Sequence, residues 1–421
     1  MTRNRIAHTL ILLCGLLSAT VALPAAAGAS TVSLAELQAD LTHQLALAGP
    51  ADGAYVYDLT AHQALFSQRA TTPRPPASVE KIYTAAAVLA RMGTSGRLST
   101  TVYGVGRLAP GGVWEGSLYL RGGGDPTFGS SSFIRAHYGG VGASVSTLAS
   151  QLVRTDGIHR ITGSVWGDES YLDSLRGEPS SGYAPDPFLE GTLSGLAFNR
   201  GASGAEHGTH TPAAYAAREL WATLKNDGVI IAGRYGATST PPGATQLAQV
   251  NSPTIAQLLA LTLPPSDNYF AETLVKDLGA RYGSAGTTAA GASVVRQTVA
   301  SLLAIHPHVV DGSGLSGSNR TSPYEVADLL VEMASTPIGP VLRGELAIAG
   351  HTGTLATRMR HTGASGRCQG KTGTLTGVSN LVGYCTTADG HTLAFAIFTD
   401  GIATRSAHVA QDHMAITIAD Y

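Results

Sequence analysis

The chain has 421 residues, of which 13% are charged and 43% hydrophobic, and its formal net charge is −2. The charged fraction is about half the ~25% usual for soluble domains while apolar content is ordinary, so a disordered chain is excluded and two or three domains are expected. Without a basic excess there is no general polyanion-binding surface, which excludes nucleic acid as a partner.

Residues 1–29 carry Arg3 and Arg5, an apolar run from Thr9 to Leu23 and then small residues, which predicts a secretory signal peptide cleaved after Ala27 or Ala29. No later run approaches the ~20 apolar residues of a membrane span, so the mature chain is expected to be secreted, extracytoplasmic and free of transmembrane segments. Cys14 leaves with the signal. Cys368 and Cys385 remain, an even pair in an oxidising compartment, and a disulfide is expected.

Residues 33–49 have helical spacing and stop at Gly49-Pro50, and AYVYDL and ALFSQ, separated by Thr60-Ala61-His62-Gln63, predict a β-hairpin. The proline-rich TTPRPPA (71–77) delivers the chain into a helix, SVEKIYTAAAVLARMG, that stops at Gly93. From Arg97 short β-like runs alternate with glycine-rich turns: TTVYGVG, SLYLRGGGDPTF and RITGSVWGDESYL, with one helix between. The helix AAYAARELWATLKNDG, the run VIIAGRYG and the Pro241-Pro242-Gly243 turn follow. Beyond Val250 helices dominate again, in TIAQLLALTL, NYFAETLVKDLGARYG, ASVVRQTVASLLA and SPYEVADLLVEMAS. Three strands, GKTGTLT, NLVGYCT and TLAFAIFTD, and a final helix complete the chain. This order predicts an α/β (α+β) architecture in which residues 30–96 and 250–421 form one domain and residues 97–249 a β-rich insertion.

The chain has only four lysines, Lys81, Lys225, Lys276 and Lys371. A composition that prefers arginine keeps lysine where arginine cannot serve, above all where an amine must give up its proton. Lys81 stands three residues after Ser78 at a helix start, a spacing that puts hydroxyl and amine on one face. A neutral amine there would act as base for a serine nucleophile. Taken alone, the motif is more often an N-cap serine beside a surface lysine. Lys371 opens Lys371-Thr372-Gly373-Thr374 on a predicted edge strand, where glycine lets a substrate backbone approach and N–H groups can meet it or an oxyanion. A phosphate loop is rejected, because Ser365 stands where its first glycine is required. Ser266-Asp267-Asn268 precedes the helix NYFAETLVKDLG and by itself reads as a loop with a helix cap. The three motifs in this order are those of penicillin-binding proteins and class A β-lactamases.

The chain resembles the PBP4-type D-alanyl-D-alanine carboxypeptidase/endopeptidases (peptidase S13). The resemblance also extends through GGGDPTF (122–128), GDESYLD (167–173), DGSGLSGSNRTSP (311–323) and GKTGTLTGVSNLVGY. It implies a β-lactamase-like, penicillin-binding transpeptidase-like fold, an antiparallel sheet flanked by helices, and a serine DD-peptidase acting on peptidoglycan stem peptides and inhibited by β-lactams. The catalytic set would be Ser78 as nucleophile, Lys81 as base, Ser266 as proton relay, Asn268 holding Lys81 and the substrate amide, and Lys371. Lys371 would keep Lys81 neutral and anchor the substrate carboxylate. Thr372, Gly373 and Thr374 would bind substrate, and the N–H groups of Ser78 and Thr374 would form the oxyanion hole. Asp168, the acidic residue that follows Gly167, would meet the side chain before D-Ala-D-Ala.

Gly317 stands where family members often carry arginine, with Arg320 close by, and Asp125 in GGGDP reads as a turn former. Cys368 and Cys385 are symmetric about Thr376-Gly377, so a hairpin turning there would place them opposite one another. The 14 histidines show no ligand spacing, and neither metal nor cofactor is expected. Two alternatives share these residues: a β-lactamase or SxxK esterase of the same fold, and a non-catalytic wall-binding protein.

Overall fold

The computed structural model describes residues 32–201 and 211–421, so the expected signal peptide lies outside the described residues. Helix α1 (Leu34–Ala48) starts at a capping box in which Ser33 and Glu36 satisfy each other's backbone N–H groups. The hairpin β1 (Gly53–Asp58) and β2 (Gln63–Gln68) follows, and then α2 (Glu80–Met92), entered through a short 3₁₀ turn at Ala77–Val79.

The next stretch holds β3 (Ser99–Ala109), β4 (Val113–Gly122), α3 (Ser131–Tyr138), α4 (Val145–Ser150), β5 (Arg160–Ile161), β6 (Val165–Asp168), α5 (Pro212–Asn226), β7 (Ile230–Ile231), β8 (Tyr235–Ala237) and β9 (Thr245–Asn251). Two helices therefore stand where the sequence predicted one, because Gly139-Gly140 breaks the segment. Strand β9 was not foreseen: its Thr-Gln-Leu-Ala-Gln-Val-Asn run lacks β-branched density, and it forms by pairing with β3.

The remaining elements are α6 (Ile255–Thr262), α7 (Asn268–Tyr282), α8 (Thr288–Leu302), α9 (Pro323–Ala334), α10 (Gly339–Gly344), β10 (Ala347–Ile348), β11 (Cys368–Leu375), β12 (Val378–Thr386), β13 (Thr392–Asp400) and α11 (Thr404–Asp420). Strands β10-β11-β12-β13-β1-β2 form a six-stranded sheet, antiparallel throughout, that joins the two ends of the chain. Its two faces are covered separately. Val382, Tyr384, Ala394, Ala396 and Phe398 pack against α2 and α6–α9, whereas Leu381, Leu393, Phe395 and Ile397 pack against α1 and α11. Central β13 is buried on both faces, which accounts for its unbroken apolar run in place of alternation. A second, mixed sheet is built from β3–β9 and carries its own core under α4 and α5.

Cys368 and Cys385 are register partners and form a disulfide that ties β11 to β12, with the turn at Thr376-Gly377. Short β10 covers β11 only at Gln369 and Gly370, leaving the edge from Lys371 onward free of a strand partner on that side.

Candidate active site

Ser78 sits in the 3₁₀ turn ahead of α2, and the turn is held in an unusual shape. Ala77 adopts a left-handed φ of 49°, a conformation costly for a residue with a Cβ. Two neighbours impose it. Asn380 of β12 donates from Nδ2 to the carbonyls of Pro75 and Pro76, at 2.9 Å each. Gly314 lies so close that a Cβ there would stand 1.8 Å from the Ala77 carbonyl oxygen.

Lys81, one turn on, is fully buried and has three partners: Ser78 Oγ at 3.0 Å, Asn268 Oδ1 at 2.6 Å and the Ser313 carbonyl at 2.7 Å. The two carbonyl oxygens can only accept. A neutral amine therefore spends its two N–H bonds on them and turns its lone pair to the Ser78 hydroxyl. Burial lowers the Lys81 pKa to about 8, against the pull of carboxylates at Asp311, Glu272, Asp267 and Glu80.

Ser313 belongs to a turn built by those carboxylates. Glu272 Oε1 accepts from the N–H groups of Gly312 and Ser313 at 2.9 and 2.8 Å. Asp311 accepts from the N–H groups of Gly314 and Ser316 and from Asn319 Nδ2. Both oxygens of Glu80 are buried without a hydrogen-bond partner among the described residues, and desolvation with the charges of Asp311 and Glu272 pushes its pKa well up. Burial and Asp311 likewise raise Glu272 to about 8.

Asn268 begins α7, whose N-cap is Asp267. Asp267 also pairs with Arg200, whose guanidinium bonds Tyr138 Oη and lies over the Tyr138, Tyr269 and Phe270 rings. Asn268 Nδ2 donates one N–H to the Phe188 carbonyl at 2.8 Å and keeps a second. Ser266 has a left-handed φ of 69°, and its hydroxyl makes no hydrogen bond among the described residues.

Lys371 is buried on β11 and donates to the Thr372 carbonyl at 2.8 Å. Burial first, and then the charge of Lys81, hold its pKa well below the ordinary lysine value. Burial is thus the largest cause for both amines, where the sequence reading gave the role of keeping Lys81 neutral to Lys371. Thr372 Oγ1 donates to Thr354 Oγ1, and Thr374 is exposed. Gly373 is required for a reason the sequence did not indicate. A Cβ there would meet the Pro76 carbonyl at 2.4 Å and Ser78 N at 3.2 Å, so the glycine brings β11 against the Ser78 turn itself.

Asp168 is not brought to this cluster. It lies on β6 of the second sheet, 2% exposed, and its two oxygens accept from the N–H groups of Ser170 and Thr240. There it fixes a turn, and its Oδ2 also faces Arg121 Nε at 3.7 Å. Asp125 does shape its turn, accepting from Thr127 N and Oγ1. Arg320 donates to the Gly317 and Asn319 carbonyls. Sequence reasoning missed Ser313, Glu272, Arg200 and Asn380, whose side chains or carbonyls stand out by no local pattern.

The family model of the D-Ala-D-Ala carboxypeptidase 3 (S13) family matches residues 34–186 and 191–421. The D-alanyl-D-alanine carboxypeptidase of Actinomadura sp. (strain R39) is 29% identical, over 94% of this chain and 87% of its own. Carboxypeptidase Rv3627c of Mycobacterium tuberculosis is 30% identical, over 90% of this chain and 81% of its own. Among solved structures, penicillin binding protein 4 from Haemophilus influenzae superposes with a TM-score of 0.75 at 20% identity, covering 89% of this chain and 97% of that one. That protein is also known in complex with a β-lactam.

Proposed function

The chain belongs to the D-Ala-D-Ala carboxypeptidase 3 (S13) family, and on that premise we propose that it cleaves the terminal D-Ala-D-Ala bond of peptidoglycan stem peptides through an acyl-enzyme on Ser78. The observation that carries the reading is the Lys81 amine, 3.0 Å from Ser78 Oγ and committed elsewhere only to two carbonyl oxygens. Ser78 Oγ attacks the carbonyl of the penultimate D-Ala as its proton passes to Lys81 Nζ. The C–N bond then breaks, the departing D-Ala amine takes up a proton, and water hydrolyses the ester to release the shortened peptide and free Ser78. Ser266, whose hydroxyl is not engaged by another side chain among the described residues, is assigned the relay of the proton to the leaving amine.

The N–H groups of Ser78 and Thr374 receive the oxyanion, and the free edge of β11 at Thr372, Gly373 and Thr374 receives the substrate backbone. Lys371 meets the terminal carboxylate. Burial disfavours its ammonium form, and a substrate carboxylate beside it would favour that form. A cross-linked peptide in which D-Ala carries a further residue reaches the same serine by the same steps. The proposed setting is extracytoplasmic, after removal of the signal peptide.

The test is incubation of the mature protein with a fluorescent penicillin beside Ser78→Ala, following label and its decay by intact mass. Stable label lost in Ser78→Ala, together with release of D-Ala from a D-Ala-D-Ala peptide, is the expected result. Label turning over within seconds would move the reading to a β-lactamase, and a folded protein that takes no label would be a binding module.

A further inference from the structure

A second cleft, of about 500 Å³, lies where β3 and β4 meet the C-terminal end of α7. Strand alternation decides its chemistry. Val102 of β3 and Leu118 and Leu120 of β4 face the core of the second sheet, so Ser99 and Tyr103 turn the other way and line the cleft. Arg121 of β4 lines it from the same side, and Tyr171, Arg97 and Arg281 complete its polar wall. No Asp or Glu among the described residues lines it.

The three guanidinium groups are only partly neutralised. Arg97 donates to the Ser252 carbonyl at 2.6 Å. Arg281 lies over the ring of its neighbour Tyr282, 5.7 Å from the centroid. Arg121, 45% exposed, pairs at 3.7 Å with Asp168 Oδ2, an oxygen that also accepts from Thr240 N–H, and the buried Asp277 carboxylate lies within electrostatic reach of Arg281. Neither Tyr103 nor Tyr171 makes a side-chain hydrogen bond among the described residues, so both phenols are free to donate. Arginine stays charged at every working pH, and its planar fork matches an oxyanion.

Resting on the DD-peptidase reading, we propose that this cleft is a second binding site that takes a carboxylate of a neighbouring stem peptide of the wall polymer while Ser78 works on another. Distance separates the two sites. Asn268 opens the 15-residue α7 and Arg281 stands near its end, which at 1.5 Å per residue is a span of about 20 Å. Extended peptide rises ~3.3 Å per residue, so about six residues are needed to cover it, more than one pentapeptide stem supplies. The anion must therefore come from another stem of the same polymer.

The experiment is cosedimentation of the mature protein carrying Ser78→Ala with purified sacculi, with and without Arg121→Gln and Arg281→Gln. The expected result is a roughly tenfold loss of sacculus binding in the double glutamine variant, weaker in high salt, and retained binding with lysine at both positions. D-Ala release from a short soluble peptide, measured on the same arginine variants with Ser78 intact, stays unchanged. On sacculi whose carboxylates have been amidated, the difference between the proteins disappears. Equal binding of charged and glutamine proteins to native sacculi overturns the inference, and a difference that survives amidation overturns the carboxylate as ligand. Absence of D-Ala release by the unaltered protein would instead count against the DD-peptidase reading, since sacculus binding is read independently.

Discussion

At the scale of single residues, the protonation of Lys81 sets the pH response. Burial holds it at about 8, so the neutral base grows with pH up to that value. Second-order acylation by a penicillin is expected to rise about tenfold per pH unit on the acid side and level off near 8, read by stopped-flow or label incorporation. Glu272 faces this amine and raises its pKa. Glu272 is itself raised to about 8 and so is mainly neutral over this limb. Glu272→Gln, which keeps a carbonyl oxygen for the Gly312 and Ser313 amides, should therefore leave the limb close to where it is. Glu272→Ala leaves both buried amides unpartnered, and urea unfolding should show a loss of about 2–4 kcal/mol. The catalytic cluster was legible in part. Ser78, Lys81 and Asn268 announce themselves by side-chain type and spacing. Ser313 contributes a backbone carbonyl, which every residue possesses, so no pattern of letters singles it out.

At the scale of elements, the approach of β11 to the Ser78 turn is the sensitive contact. Gly373→Ala places a methyl 2.4 Å from the Pro76 carbonyl, and either the strand or the turn must shift. A displacement of this kind at a nucleophile costs on the order of 100-fold in rate, so penicillin acylation should fall by about that factor while the circular dichroism spectrum is kept. The Cys368–Cys385 bridge braces the same strand across a separation of 17 residues. Replacing both cysteines by alanine should cost roughly 3 kcal/mol in denaturant unfolding, and the unaltered protein should lose the same amount in reductant. The hairpin and its cysteine register were readable because glycine at the turn and symmetric spacing are local signals. Strand β9 was not, because its only warrant is the neighbour it pairs with, β3, far away in sequence.

At the scale of the whole molecule, the interior holds many carboxylates in unfavourable surroundings. Asp52 and Asp125 are raised to about 6 and Glu272 to about 8, while Glu80, Asp277 and Asp311 are also raised, in each case first by burial. Both oxygens of Asp277 lack a hydrogen-bond partner among the described residues, and its carboxylate is pressed against Gly124, where a Cβ would lie 1.8 Å from Oδ1. In an unfolded chain these groups ionise near 3.8 or 4.5. Between those values and their folded ones the native state therefore binds more protons than the unfolded state, and its stability falls as pH rises. Buried Lys81 and Lys371 act in the opposite sense, because their lowered pKa values make the native state release protons as pH rises toward 10.5. Six raised carboxylates outweigh two lysines over the interval from about 4.5 to 8, so the melting temperature should decline from about pH 5 to about pH 8. Asp277→Asn removes one titrating group without changing side-chain size. Differential scanning calorimetry should show it raising the melting temperature more near pH 8 than near pH 5; a melting temperature that climbs between those two pH values would contradict the assignment of protons to these buried acids.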